Sequence, residues 1–146
     1  MAALTQAPIP APLRWAIVLV DFDPARGHQQ QGTRRALIVS YEAFHCSGMA
    51  TACPITTRAR KYPGEVPIPA GHAGQTRDGL ILLHQIRTVN LARVAAFTLG
   101  GQVQFLTDAA TRRSVRDGLL HQLGLDLGTT VDGADAGPAS DQRPTR

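Results

Sequence analysis

The stretch from Val20 to Ser40 constrains the fold of this chain more than any other. An apolar run at residues 15–20 enters it, and a second run at residues 36–39 leaves it. Both runs are short and rich in β-branched residues, which indicates buried strands. The polar loop between them holds two glycines, three successive glutamines and the pair Arg34–Arg35. Because loops longer than about a dozen residues in compact domains are usually functional, this loop is a candidate site.

Further short apolar runs follow along the chain. Met49–Ile55 and Leu80–Leu83 have the character of strands, and His84–Val89 continues the second with alternating residues. The segment Tyr62–Pro69 contains three prolines, which lack a backbone N–H, so it suits an edge strand or an extended turn. These runs predict an all-antiparallel arrangement of short strands.

Residues typical of turns and helix caps lie between the predicted strands. Gly100–Gly101 lies between two apolar runs as in a β-hairpin. Ser40 and Asn90 are good helix caps, so a short helical turn is expected after each. The spacing therefore predicts short helical turns between the strands.

One segment has the length and periodicity of a helix, residues 107–123. Thr107 or Asp108 is expected to cap it, and Gly124 is a natural C-terminal stop. Its apolar face carries Val115, Leu119, Leu120 and Leu123. Gly118 in its middle costs about 1 kcal/mol relative to alanine. Five to seven short strands followed by one helix predict a mainly β (α+β) fold, a small curled antiparallel barrel covered by the C-terminal helix.

The balance of charge is basic, with 15 Lys and Arg against 11 Asp and Glu. Lys61 is the only lysine, so the excess is carried by arginine. The planar guanidinium suits phosphates and base edges, which favours a polyanionic partner. A coding bias toward arginine would give the same ratio, so composition alone does not identify that partner.

The 146 residues predict one domain at 14–125, between a flexible proline-rich leader at 1–13 and a disordered tail at 126–146. No signal-peptide pattern is visible, and the run at 15–20 is too short to span a membrane. Cys46 and Cys53 do not form a disulfide framework and are expected to be small buried residues. A reducing cytoplasm is the expected location.

Five segments together resemble the MazF/PemK/Kid family of toxin endoribonucleases, and they occur in the family's order. Val20–Arg34 is similar to the family loop V-D-x-D-P-x-x-G-[SH]-E-Q-x-G-x-R-P, and Ala36–Ser40 fits the strand after it. Cys53–Thr57 resembles P-[IV]-T-[ST], and Tyr62–Val66 resembles Y-P-F-E-V. Gly79–Thr88 resembles G-x-x-x-L-D-Q-[IV]-R-[TS].

The resemblance implies an SH3-like barrel, a homodimer and sequence-selective cleavage of single-stranded RNA. In this chemistry the ribose 2′-OH attacks the adjacent phosphate. It needs a base, an acid and a cation that stabilises the phosphorane, but no metal and no cofactor. The implied role is the toxin of a type II toxin–antitoxin pair, whose partner is a small acidic antitoxin.

The resemblance also implies roles for single residues. Arg34 matches the family's catalytic arginine, and Thr56 matches its catalytic threonine. His28 fits members with G-H-E-Q in the first loop, and it would titrate near neutrality. RNA contacts are expected from Gln29, Gln30, Arg35, Thr57, Arg58, Arg60, Gln85 and Arg87. His45, His72 and His121 lack metal-ligand spacing, so no metal site is predicted.

The sequence departs from the family pattern at positions that matter for catalysis. Gln29 replaces the loop glutamate, Arg35 replaces the proline after the catalytic arginine, and His84 replaces an aspartate. Gly64 replaces the phenylalanine of Y-P-F. By itself, His84 in an apolar strand would be a core or interface histidine. With the resemblance, His28 or His84 becomes the group that transfers the proton.

Two alternatives stay open. A barrel of the same fold that has lost its carboxylates can bind RNA or an antitoxin without cutting. A CcdB-like inhibitor of a topoisomerase also shares the fold, but the glycine–arginine loop and the Pro-Ile-Thr element argue against it.

Overall fold

An antiparallel β-sheet is the centre of the computed structural model, which describes residues 13–23, 32–96, 98–99 and 102–126. Its strands are β1 (Ile17–Asp21), β2 (Thr33–Ile38), β3 (Met49–Thr56), β4 (Glu65–Ile68), β5 (Gly79–Leu82), β6 (Arg87–Asn90) and β7 (Val94–Ala96). They lie in the order β4-β5-β3-β2-β1-β7, and β6 pairs with β3. A separate pair, β8 (Thr98–Leu99) and β9 (Gln102–Val103), and the helix α1 (Ala109–Gln122) complete the fold.

The predicted fold class, mainly β with antiparallel strands and a C-terminal helix, is confirmed. Every strand pair is antiparallel. The prediction of an edge strand within Tyr62–Pro69 is also confirmed, since β4 ends the sheet on one side. Within the described residues β7 ends the other side, so the sheet is not closed and "barrel" describes its shape only loosely.

The two faces of the sheet pack into two apolar clusters. The first contains Val18, Val20, Phe22, Ala36, Ile38, Ala50, Ala52, Val89 and Val94. The second contains Ile17, Leu37, Cys53, Ile55, Val66, Ile68, Ile81, Leu83, Leu106 and Val115. Val115 belongs to α1, so the helix covers the second face. Strand alternation assigns each strand residue to one of these faces.

The strand β2 begins earlier than the apolar run predicts. Arg34 and Arg35, expected at the end of the loop, lie within the strand and pair with Val20 and Leu19 of β1. The ladder extends back to Thr33 because its hydrogen bonds are made by the backbone, so exposed polar residues can precede the apolar residues within one strand. The candidate arginine is therefore held on a paired strand.

The predicted continuous strand from Leu80 to Val89 is wrong, because a 3-10 turn at Leu83–Gln85 interrupts it. β5 and β6 both pair with the same edge of β3. Between the pairs Ile55–Ile81 and Ala52–Arg87, three steps along β3 correspond to six along the returning chain. The excess residues loop out as the turn, with Leu83 buried and His84 exposed.

The predicted ends of the helix are confirmed. Asp108 Oδ2 accepts a hydrogen bond from the Thr111 N–H at 2.9 Å, which caps α1. Gly124 has a φ of +73°, and its N–H donates to the His121 carbonyl. The apolar face is buried only in part: Val115 is fully buried, but Leu123 is 65% exposed.

The short helical turns are present, with one correction to their capping. Asn90 Oδ1 accepts from the Ala92 N–H at 2.8 Å, as predicted. The turn after Ser40 spans Glu42–Ser47 without a side-chain cap. Ser40 Oγ instead accepts from the Thr51 N–H at 2.9 Å and bonds the His45 ring.

The two cysteines have different surroundings, and neither forms a disulfide. Cys53 is buried in the second cluster, and burial raises its pKa to about 12. Cys46 is exposed, so the expectation that both are buried is wrong for this residue. In the part of the chain that the structure describes, no helix has the length and apolar character needed to cross a membrane.

Candidate active site

The pairing of β2 with β3 brings Arg34 and Thr56 to the same end of neighbouring strands. Ala36 lies opposite Pro54 in this ladder. Carried two residues further, the same register puts Arg34 level with Thr56. Strand alternation turns both side chains to the face of the first cluster, the face of Ala36 and Ala52. Arg34 is exposed and Thr56 is half-buried, so both are accessible from this end.

Arg35 lies on the other face of β2, on the same side as Leu37 and Ile55. Its side chain is half-buried. Arg34 and Arg35 are adjacent in sequence, but the strand separates their side chains. They are therefore not a single doubly charged group.

Two arginines hold the start of the long loop. Arg87 Nη1 donates to the Phe22 carbonyl at 3.1 Å, and its guanidinium lies 5.2 Å from the centre of the Phe22 ring. Arg93 donates to the Asp23 carbonyl. The Gly32 N–H donates to Asp23 Oδ1 at 2.8 Å, which ties the two ends of the loop together. His28, Gln29 and Gln30 lie outside the described residues, but the base of their loop is ordered by these bonds.

The β3–β4 loop, residues 57–64, is held by one buried carboxylate. Glu65 is 1% exposed and forms an ion pair with Arg58. The backbone N–H groups of Lys61 and Tyr62 also donate to its Oε1, at 2.8 and 3.2 Å. The hydrogen bond from Arg58 is the main cause that lowers the pKa of Glu65 to about 2, and the two N–H groups add to it. Arg58, predicted as an RNA contact, is thus engaged by Glu65.

His84 and Tyr62 meet across the gap between this loop and the 3-10 turn. Their ring centres are 4.9 Å apart, at an interplanar angle of 61°. His84 is exposed, which excludes the alternative of a core histidine and leaves it accessible, as its predicted catalytic role requires. The reason is the turn at Leu83–Gln85, which puts Leu83 in the core and lifts His84 out. Gln85, next in the turn, is half-buried.

A pocket of about 390 Å³ opens beside the β3–β4 loop. It is lined by Thr57, Arg58, Ala59, Arg60, Pro67, Ile68, Pro69, Asp78, Gly79 and Leu80. Thr57 and Arg60 are exposed there. Arg60 also donates to the Pro63 carbonyl at 2.9 Å, which directs its guanidinium along the loop. Its lining includes Thr57, the residue after Thr56, so the accessible surface continues from the end of β3 onto this loop.

Among the predicted residues that the structure describes, Arg34 and Thr56 lie at the same end of neighbouring strands, and Thr57 and Arg60 lie on the β3–β4 loop. His84 contacts this loop through Tyr62, and Gln85 follows it in the turn. Arg58 and Arg87 support this region through Glu65 and Phe22. Glu65 and Tyr62 were not among the predicted site residues. Among the described residues, no three His, Cys, Asp or Glu side chains are grouped to hold a metal ion.

The comparison with known proteins assigns this arrangement to a family. The model described as "PemK-like, MazF-like toxin of type II toxin-antitoxin system" matches residues 13–119. The endoribonuclease toxin ChpB of Escherichia coli K12 is 44% identical over 87 residues, which cover 56% of this chain and 73% of ChpB. The endoribonuclease toxin MazF of the same strain is 36% identical over 74 residues, 50% of this chain and 63% of MazF.

Solved structures agree with this match. Crystal structures of Deinococcus radiodurans MazF and of a MazE–MazF complex superpose with TM-scores of 0.61 and 0.59. Their sequence identities are 31% and 28%, and they cover 81% and 80% of this chain and 99% and 98% of the solved chains. The antiparallel sheet and the C-terminal helix agree with these structures. The matches show that the chain belongs to the family of PemK-like, MazF-like toxins of type II toxin–antitoxin systems.

Proposed function

We propose that this chain is a sequence-selective endoribonuclease that cleaves single-stranded RNA by attack of the ribose 2′-OH on the adjacent phosphate. The observation that carries the proposal is the register of β2 and β3, which runs from Ile38–Ala52 to Ala36–Pro54 and leads toward Arg34 and Thr56 at the same end of the two strands. The names of the related toxins, MazF and ChpB, support the same activity.

Each side chain has a defined task in this proposal. The Arg34 guanidinium stabilises the negative charge of the phosphorane. The Thr56 hydroxyl donates to a phosphate oxygen. His84, exposed on its turn, or His28 in the first loop transfers the proton that the missing carboxylates would otherwise handle. No step uses a metal ion or a cofactor.

The RNA path follows from the exposure of the remaining residues. Thr57 and Arg60 line the pocket beside Thr56 and contact the RNA backbone. Gln85 extends this surface on the turn, and Gln29 and Gln30 read base edges from the first loop. Arg35 reaches the RNA from the other face of β2. Arg58 and Arg87 act mainly by holding the two loops, and the 25% exposed fraction of the Arg58 side chain leaves room for a phosphate contact.

The same proposal includes partners and location. The protein works in the cytoplasm as a homodimer, and a small acidic antitoxin covers its basic surface. The family description as a toxin–antitoxin component supports the antitoxin. Residues 14–125 form the working domain, which agrees with the family match over 13–119.

Cleavage of a long single-stranded RNA in EDTA, with mapping of the new ends, tests the activity. We expect products with 2′,3′-cyclic phosphate and 5′-OH ends, and loss of cleavage by a factor of about 100 or more in Arg34→Ala. Thr56→Val, which keeps the shape without the hydroxyl, is expected to lose activity as well. Arg113→Ala on the exposed side of α1 is the matched control and should cut like the wild type.

Absence of cleavage by the folded wild type would contradict the proposal in favour of a protein that binds RNA or antitoxin without cutting. Cleavage that survives in Arg34→Ala would contradict the assigned mechanism.

A further inference from the structure

The geometry points to Glu65 as a positioning residue, whose buried carboxylate fixes the β3–β4 loop and, through the Tyr62 ring, the orientation of His84. The consequence for catalysis rests on the proposed function, but the coupling of Glu65 to His84 does not.

The first step is the number of donors that one carboxylate collects. Arg58 Nη1 donates to Oε1 at 3.2 Å and Nη2 donates to Oε2. The N–H groups of Lys61 and Tyr62 donate to Oε1 as well. All four donors come from residues 58–62, so a single anion holds this segment in one conformation. Because Glu65 begins the paired strand β4, its own position is set by the sheet.

The second step is the fixation of Tyr62. Its N–H is bound by Glu65, and its carbonyl accepts from Arg60 Nε at 3.4 Å. The Arg58 guanidinium lies 5.9 Å from the centre of its ring. The backbone and the ring are therefore both restrained, although the side chain is 51% exposed. A loop residue with this exposure would otherwise sample several rotamers.

The third step is the contact with His84. The Tyr62 ring meets the imidazole edge-on at 4.9 Å, a favourable aromatic geometry. His84 projects from a three-residue turn and is exposed. The Tyr62 ring restrains the imidazole on one side, and removing the carboxylate releases the ring that does so.

Nuclear magnetic resonance tests this coupling without RNA. The Tyr62 ring current shifts the imidazole protons of His84, and Tyr62→Leu gives their position without the ring. We expect Glu65→Gln, measured above a pH of about 8 where an ordinary histidine is neutral, to move the His84 signals toward the Tyr62→Leu position. The signals of His121 on α1 should stay in place in both variants.

The activity data then test the consequence. We expect a fall in kcat of about tenfold in Glu65→Gln and Tyr62→Leu with a smaller change in KM, since misplaced catalytic groups lower the rate more than binding. Tyr62→Phe keeps the ring, so it should retain both the His84 shift and the activity. A merely structural Glu65 would not give this ring-dependent pattern.

Two results would overturn the inference. One is a folded Glu65→Gln variant whose His84 signals equal those of the wild type. The other is an unchanged His84 spectrum in Tyr62→Leu. Because Tyr62 is exposed, this variant should fold even if Glu65→Gln does not, so its result stays decisive. If the wild type does not cut RNA, the proposed function fails while the spectroscopic result still stands or falls by itself.

Discussion

At the scale of single residues, the buried charge of Glu65 has a consequence for stability. It is the only ionisable carboxylate that is buried among the described residues. Its pKa falls from an ordinary value of 4.5 to about 2 in the fold. A depressed pKa means that the folded state favours the ionised form. The stabilisation is complete above a pH of 4.5 and is lost as the pH falls toward about 2.

We expect the free energy of unfolding of the wild type to fall more steeply with acid than that of Glu65→Gln. Between these two pKa values the difference in slope approaches one proton, about 1.4 kcal/mol per pH unit. Urea titrations of both proteins at a series of pH values measure it. Other carboxylates titrate equally in the two proteins, so parallel curves would show that Glu65 is not the responsible group.

Residues of the candidate site differ in how far the sequence could predict them. Arg34 and Thr56 belong to motifs, and the register of β2 and β3 agrees with their assignment to one site. Glu65 was missed because its partner Arg58 lies seven residues away and the contact exists only after the loop closes. An acidic residue beside the apolar Val66 was the available signal, since buried carboxylates in proteins are usually paired.

At the scale of elements, the 3-10 turn at Leu83–Gln85 packs directly against α1. A Cβ at Gly118 would clash with Leu83 Cδ1. Leu83 is 1% exposed in the second cluster, so it has little space to move away. The glycine that weakens the helix by propensity is therefore the position where the helix lies directly on the turn that carries His84.

We expect Gly118→Ala to destabilise the protein by about 1–3 kcal/mol, the usual cost of overpacking a core. On an exposed helix position the same change would stabilise by about 1 kcal/mol, so the sign alone tests the contact. Ser114→Ala, exposed on the same helix, is the control and should change stability by about 0.5 kcal/mol or less. Chemical denaturation measures all three proteins, and a Gly118→Ala variant more stable than the wild type would contradict the close approach.

Elements with local signals were predictable, and the turn was not. The helix was recognised from its periodicity, its cap at Asp108 and its stop at Gly124. The interruption at Leu83–Gln85 leaves no mark in the alternation of residues 80–89. It arises from the different lengths of β3 and of the chain returning along its edge. Such a mismatch is a property of strand pairing and becomes visible only when the partners are known.

At the scale of the whole molecule, the helix and the Arg34–Thr56 pair lie on opposite faces of the sheet. α1 covers the face of the second cluster through Val115, while Arg34 and Thr56 lie on the face of the first. The loops that join β1 to β2 and β3 to β4 both lie at the end of the sheet where Arg34 and Thr56 are found. A basic surface built from strand ends and loops suits the phosphate backbone of the single-stranded RNA proposed above.

The net charge of +4 makes the salt dependence of RNA binding a test of this surface. For single strands, the logarithm of affinity falls with the logarithm of salt concentration with a slope of about 0.7 per phosphate contacted. We expect Arg60→Ala to weaken RNA binding at low salt and to reduce the slope by about 0.7, because the protein then contacts one phosphate fewer. Arg113→Ala removes the same positive charge from α1, away from the β3–β4 loop, and should leave the slope unchanged.

A 2′-O-methyl oligonucleotide, which has no free 2′-OH and cannot be cut, allows the full chain to be titrated at equilibrium over a range of salt concentrations. Because both variants lose one positive charge, a general effect of net charge would change their slopes equally. Only a phosphate bound at the β3–β4 loop gives a change confined to Arg60→Ala. Equal slopes in the two variants would mean that the RNA path avoids the β3–β4 loop. A cleavage assay of Arg60→Ala would then give the KM of the wild type, because RNA would reach Arg34 and Thr56 from the first loop alone.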